Sequence, residues 1–286
     1  MGITLAGASL GGMALAPLAG VILRNLGWRF GYRLYGISIC IIIIPLMLLI
    51  LRQSPKVMGL LPDGDKAIAD PENLSIKQAD AVKLESLSLK QAFKTLTFWM
   101  IAIGFMLPMF AGRALLIHLV PILTDSGISA ETAAGVYGFT VGLSLLGRLG
   151  FGFAADKFSI RHIYALCYAI EALGIFCMLG LKSFGNFALL GFVIIFGSSY
   201  GGGMSLSPLL IGKCFGISSM GEIFGALGIA AMVGGAFGPV FAGFIYDRMG
   251  NYHVAFMVFL ALQIISVVAI YNSRTVIGRL KLTKDI

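Results

Sequence analysis

Charge is what this sequence has least of. Of 286 residues only 12% are Asp, Glu, Lys or Arg, about half the roughly 25% share of ordinary soluble domains. Apolar residues make up 58%, and the mean hydropathy is +0.94. A water-soluble fold has too few charges here to cover its apolar surface, which excludes disorder, a collagen-like fibre and a disulfide scaffold and argues against a soluble enzyme. Cysteine is sparse too. Cys40, Cys167, Cys177 and Cys214 sit in or beside apolar runs, without metal-ligand spacing or a secreted-disulfide pattern. They read as small apolar fillers. The three histidines, His118, His162 and His253, fall on three different elements, and Gly201-Gly202-Gly203 lacks the following Lys-Ser/Thr pair of a phosphate loop. No catalytic constellation and no metal set is visible, so neither enzyme activity nor a cofactor is expected. The first apolar run lacks the basic region that opens a signal peptide.

What is abundant is length of apolar run. A membrane-spanning helix needs about 20 apolar residues. Eight stretches qualify: 3–23, 34–51, 98–122, 133–155, 163–181, 187–212, 223–246 and 253–272. The 38 glycines suit closely packed membrane helices. The expected class is all-α and polytopic. Four regions follow: 1–51 with two spans, a central loop 52–97, a six-span block 98–272 and a tail 273–286. The central loop carries seven basic and six acidic residues and contains the turn signal Pro62-Asp63-Gly64. Near its end Ser88 and Gln91 make a capping-box pattern. Leu89, Ala92, Phe93 and Leu96 then share a helical face, which predicts a short surface helix before the third span.

The basic residues set an orientation. Loops after spans two, four, six and eight hold fourteen Lys and Arg, and those on the opposite side hold five. That asymmetry, not nucleic-acid binding, is the reading of the +8 net charge. It places the central loop and the C-terminus in the cytoplasm of a plasma (inner) membrane protein. The arginine-rich first hairpin, Arg24 to Arg33, is the exception.

An internal repeat is also visible. Gly11-Gly12-Met13-Ala14-Leu15-Ala16-Pro17, then Gly20 and Gly27, matches Gly234-Gly235-Ala236-Phe237-Gly238-Pro239, then Gly243 and Gly250, at an offset of 222 to 223 residues. The period is six spans. A six-span repeat implies twelve, so four further spans are expected ahead of these eight, in a longer chain or supplied by another chain.

At the end of the fourth span stands Gly147-Arg148-Leu149-Gly150-Phe151-Gly152-Phe153-Ala154-Ala155-Asp156-Lys157-Phe158-Ser159-Ile160-Arg161. The pattern Gly152-x-x-x-Asp156-Lys157-x-x-x-Arg161 resembles the cytoplasmic loop motif of the major facilitator superfamily, with Ser159 where a second glycine is usual. Further stretches are similar to bacterial members of its monocarboxylate-transporter-like and oxalate/formate-antiporter-like branches. They are Gly27-Trp28-Arg29, Gly59-Leu60-Leu61-Pro62-Asp63-Gly64, His118-Leu119-Val120-Pro121 with Thr124-Asp125-Ser126-Gly127, and Phe215-Gly216 with Phe224-Gly225. The resemblance implies a helical bundle corresponding to helices five to twelve of twelve. It implies secondary transport of a small organic anion, a monocarboxylate, by alternating access, with protons as the usual coupling ion. The rival expectation is a non-transporting fragment that needs a partner half. Gly152, Asp156, Lys157 and Arg161 would then belong to the gating motif.

Ionisable residues inside spans are costly and point to function by default. Arg148 lies roughly 10 Å deep by helix geometry. In the resembled branches an arginine here meets the substrate carboxylate, and a guanidinium fork matches that group. A structural gate arginine is the alternative. Arg113, two thirds of the way across the third span, is a second candidate anion contact or an arginine snorkelling to the interface. His118 lies about 140° further round that helix. It is either a proton-coupling group or a satisfied helix-end histidine. Glu171 is either a proton carrier or a protonated carboxyl against a neighbouring helix. Tyr137, Tyr200, Ser205 and Ser207 are candidate hydrogen-bonding groups of a cavity. The oxalate-type pattern would put a lysine in the seventh span, but 223–246 has none.

The topology is open to a direct check. With the four native cysteines replaced, Asp70→Cys should resist a membrane-impermeant thiol reagent applied to intact cells and react once the membrane is opened. Strong labelling from outside would reverse the orientation.

Overall fold

The computed structural model describes residues 11, 15, 18, 22, 26–50 and 86–276. Most of the expected first span, most of the central loop and the end of the tail therefore lie outside the described residues, and so does the first copy of the repeat beyond Gly11, Leu15 and Gly27. Seven helices among the described residues are long and apolar enough to cross a membrane. They match the second to eighth expected spans, and all but the last extend beyond the expected limits, because capping residues and polar helix ends carry the backbone past the apolar runs.

The chain divides into two units. The smaller holds α1, Leu26–Leu49. Near its start Gly27 has φ of 75°, a value that suits glycine. Arg29 lies 4.5 Å over the Trp28 ring. Between Ile39 and Ile43 the helix widens into a π turn. Pro45 follows directly, and a proline lacks the N–H that the preceding turn would otherwise bond.

The larger unit holds the rest. α2, Leu89–Ala92, has the predicted capping box: Gln91 N–H donates to Ser88 Oγ, and Ser88 N–H donates to Gln91 Oε1 at 2.9 Å. It stops after one turn, shorter than the expected amphipathic helix. Thr95 explains why. Its hydroxyl donates to Ala92 O at 2.7 Å and accepts from Phe98 N–H at 3.2 Å, so one side chain ends α2 and caps the next helix. Ala92 is buried, whereas Leu96 opens the span with its side chain exposed.

The spans that follow are α3 (Leu96–Asp125), α4 (Ala130–Lys157) and α5 (Ile160–Leu179). After the single turn α6 (Leu181–Phe184), α7 (Asn186–Tyr200) and α8 (Gly202–Phe215) form one crossing interrupted at Gly201. Then come α9 (Met220–Met249) and α10 (His253–Asn272). Helix α3 packs against α9 and α10, α5 against α7 and α10, and α4 against α7.

Two crossings position the candidate site, and both depend on glycine. On α9, a Cβ at Gly234 would overlap the Met106 carbonyl, and one at Gly238 would overlap the Phe110 carbonyl. The α3 and α9 backbones therefore touch directly. At the second crossing α4 presses on the break between α7 and α8. A Cβ at Gly147 would collide with the Ser198 carbonyl, and one at Gly201 would come within 2.7 Å of Arg148 Cγ.

Gly238→Ala should therefore separate α3 from α9. Overpacking of this kind costs about 1–3 kcal/mol. Gly228→Ala on the same helix meets open space and should leave stability unchanged or raised by up to about 1 kcal/mol. Thermal unfolding of the purified chain in detergent should show a lower midpoint for Gly238→Ala alone; equal midpoints would contradict the seam.

Candidate functional site

The candidate substrate residues converge on Tyr200, the last residue of α7. Its ring stacks on Phe196 at 5.3 Å and fills the space left by Gly112 of α3, where a Cβ would sit 3.0 Å from Tyr200 Cε2. Arg113 of α3, Glu171 of α5, and Tyr137 and Arg148 of α4 all act electrostatically on the Tyr200 hydroxyl. Two guanidinium groups and one carboxyl thus bear on one half-buried phenol. The two guanidinium groups favour a bound anion there, because low dielectric strengthens each charge-assisted hydrogen bond.

The two arginines are held differently. Arg148 is 8% exposed, pinned where Gly201 opens the α7–α8 break. Arg113 is exposed and its stem lies over Gly235, with Cγ 3.5 Å from where a Cβ would be. It reaches a cavity of about 490 Å³ between α3, α5, α8 and α9. Ser207 lines that cavity, while Ser205, two residues away and so on the opposite helix face, is buried in packing. The same cavity takes Tyr164 and Tyr168, which the sequence reading missed. Their spacing of four residues in an apolar helix places both hydroxyls on one face, and that was the available signal.

His118 stays apart from the cavity beside Arg113, which it does not line. Both residues meet α9, because its glycines admit side chains on either flank of the contact. His118 Nε2 is 3.0 Å from Pro239 O, and Nδ1 is 3.0 Å from the Tyr252 hydroxyl. A carbonyl only accepts, so Nε2 carries a proton, and in the neutral ring Nδ1 accepts from Tyr252. Burial and the charge of Asp125 push the Tyr252 phenol up to about 12, so it remains a donor. Tyr252 lines a second cavity of about 400 Å³ with Asp125, Tyr246 and His253.

Glu171 does not line the cavity beside Arg113. It is 4% exposed between α5 and α10, and Gln263 Nε2 donates to its Oε2 at 2.8 Å. The same amide approaches Tyr168 O at 3.4 Å. Of the gating motif, Gly152 is half-buried on α4, and Asp156 and Lys157 are exposed at its end. Arg161 Nη1 donates to Ser273 O at 3.2 Å, so it holds the carboxyl end of α10. A cation there complements the helix dipole.

A bundle of long apolar helices with charged groups sequestered inside it is the architecture of a multi-pass membrane carrier. The sequence model of the Major Facilitator Superfamily matches residues 1–158 and 142–284, and the chain belongs to that family, one of transporters and not of enzymes. Among curated relatives, monocarboxylate transporter 12 of Rattus norvegicus is 24% identical over 271 residues, covering 90% of this chain and 55% of the relative. Human monocarboxylate transporter 11 is 28% identical over 271 residues, covering 90% and 52%. The MFS transporter asaE of Aspergillus flavus is 22% identical over 272 residues, covering 95% and 56%. The chain spans about half the length of the curated relatives it matches.

The Glu171–Gln263 contact predicts a packing role. Glu171→Gln keeps an acceptor for Gln263 and should unfold within about 1 kcal/mol of the parent. Glu171→Leu strands the buried amide and should cost about 1–3 kcal/mol. Thermal unfolding of both purified variants decides; equal destabilisation would contradict the clamp.

Proposed function

We propose that the chain serves secondary transport of a small organic anion, a monocarboxylate, across the plasma membrane by alternating access. The central loop and C-terminus face the cytoplasm in this reading. The observation that carries it is the pair of intramembrane arginines, from α3 and α4, that both act electrostatically on Tyr200. Arg148 holds the carboxylate in a two-pronged contact. Arg113 adds a second cation from the cavity side, and Tyr137 and Tyr200 supply hydroxyls. The names of the relatives support the substrate class, and membership of the family supports the transport mode.

A proton accompanies the anion, with His118 as its carrier. A second proton on the ring turns Nδ1 from acceptor to donor toward Tyr252, whose own hydrogen must then rotate away. Asp125, Asp247, Tyr246 and His253 surround that phenol. The Nε2–H bond to Pro239 O ties the protonation state of α3 to α9. Glu171, fixed to Gln263, is left to packing. Asp156, Lys157 and Arg161 close the cytoplasmic side by holding helix ends.

The test is equilibrium binding of a radiolabelled monocarboxylate to the purified chain. Arg148→Lys should lose most of the affinity although the charge remains, because an ammonium cannot reproduce the planar fork. Arg148→Ala should lose it entirely, since the anion would enter low dielectric without a partner. Circular dichroism checks that both variants fold. Unchanged binding in the alanine variant would make Arg148 a gate and not a substrate contact.

A further inference from the structure

The cavity beside Arg113 has chemistry that a short carboxylate does not use. Its volume, about 490 Å³, falls within the roughly 300–1,000 Å³ of pockets that enclose drug-sized ligands. A three-carbon anion would occupy a small part of it. Most of the wall is apolar and polarisable: Phe105, Met109, Met204, Phe224 and Met232. Aromatic rings and thioethers of this kind suit a flat aromatic body.

One wall is different. Tyr164, Tyr168 and Ser207 form a hydroxyl cluster. Tyr164 donates to Gly203 O at 2.9 Å, and Ser207 donates to the same carbonyl at 2.7 Å. The Tyr164 oxygen lies 3.1 Å from the Tyr168 oxygen and 3.0 Å from Ser207 Oγ. Each hydroxyl has one hydrogen. With the Tyr164 and Ser207 hydrogens on Gly203 O, the Tyr168 hydrogen goes to the Tyr164 oxygen. All three hydrogens are then absorbed inside the cluster. What remains toward the cavity is lone pairs on Ser207 and Tyr168. The ring of Tyr164 is itself fixed by stacking on Phe105 at 5.8 Å, so the arrangement is rigid.

We infer that this cavity is a subsite for the body of the substrate, and that the substrate is an aromatic monocarboxylate with a hydrogen-bond donor, a hydroxyl or N–H, at the end remote from the carboxylate. The carboxylate meets Arg113 at one side of the cavity, and the donor meets the acceptor oxygens of Ser207 and Tyr168. The inference rests on the reading of the chain as a monocarboxylate carrier and narrows it. A donor-free ligand of the same shape leaves those oxygens desolvated and unpaired, which is the strong form of discrimination by a polar site.

Isothermal titration of the purified full chain, in detergent, with four probes tests this. The probes are propanoate, phenylacetate, para-hydroxyphenylacetate and para-methoxyphenylacetate. Para-hydroxyphenylacetate should bind at least tenfold more tightly than both propanoate and the methoxy analogue. Ser207→Ala should shrink the hydroxy-over-methoxy preference severalfold while phenylacetate affinity stays the same. Gly228→Leu fills the cavity from a position where a Cβ meets nothing within 4 Å. It should weaken all aromatic probes at least tenfold and leave propanoate unchanged. Equal affinity for hydroxy and methoxy probes, or for propanoate and the aromatics, overturns the subsite and leaves the carrier reading standing. Failure of all four probes to bind a folded chain overturns both.

Discussion

Direct contact between the backbones of α3 and α9 is the constraint on which the rest of the larger unit depends. Gly234 meets the Met106 carbonyl and Gly238 the Phe110 carbonyl, one helical turn apart on each helix. Lipid supplies no hydrophobic drive for helix association, so van der Waals contact at close range does the work. The consequences run along the seam. Arg113, one turn beyond Phe110, lays its stem over Gly235. His118 reaches Pro239 O with Nε2, and its Cε1 lies 3.8 Å from where a Gly243 Cβ would be. The cation, the imidazole and the α9 face of the larger cavity are therefore placed by one register.

Several polar groups within the bundle find partners inside the protein. In a medium without water each donor needs an acceptor inside the protein. Gln263 bridges to Glu171 and Tyr168 O, Ser266 donates to Gly104 O at 2.9 Å, and Thr97 donates to Arg274 O at 2.9 Å. These contacts staple α10 to α3 and α5, and α3 to the segment that follows α10. The arrangement around Tyr200 differs in kind, since it gathers two guanidinium groups and two phenols against the single Glu171 carboxyl, which Gln263 already engages.

The spans were legible because apolar run length alone decides them, and the capping box at Ser88 and Gln91 was legible because it is local. The convergence of Arg113, Tyr137, Arg148 and Tyr200 was legible only as a set of costly or polar residues in apolar helices. Their meeting point depends on where Gly112 and Gly201 let helices touch, which no local pattern encodes. Tyr164 and Tyr168 escaped notice because aromatic residues at helical spacing usually pack a core, and only the Gly203 carbonyl and Ser207 on α8 turn them into a hydroxyl cluster. Arg161 was legible as a member of the motif, but its acceptor, the Ser273 carbonyl just past the end of α10, lies 112 residues away and no local pattern names it.

The central claim is that guanidinium groups inside the bundle hold a carboxylate directly. Solid-state NMR dipolar recoupling measures it, between an isotope-labelled ligand carboxylate carbon and labelled arginine guanidinium nitrogens in the full chain. A two-pronged contact places carbon and nitrogen within about 4 Å, so strong dephasing is expected at ligand saturation and should weaken in the Arg148→Lys protein, where Arg113 alone remains. A saturated ligand with no dephasing from any arginine would contradict the account.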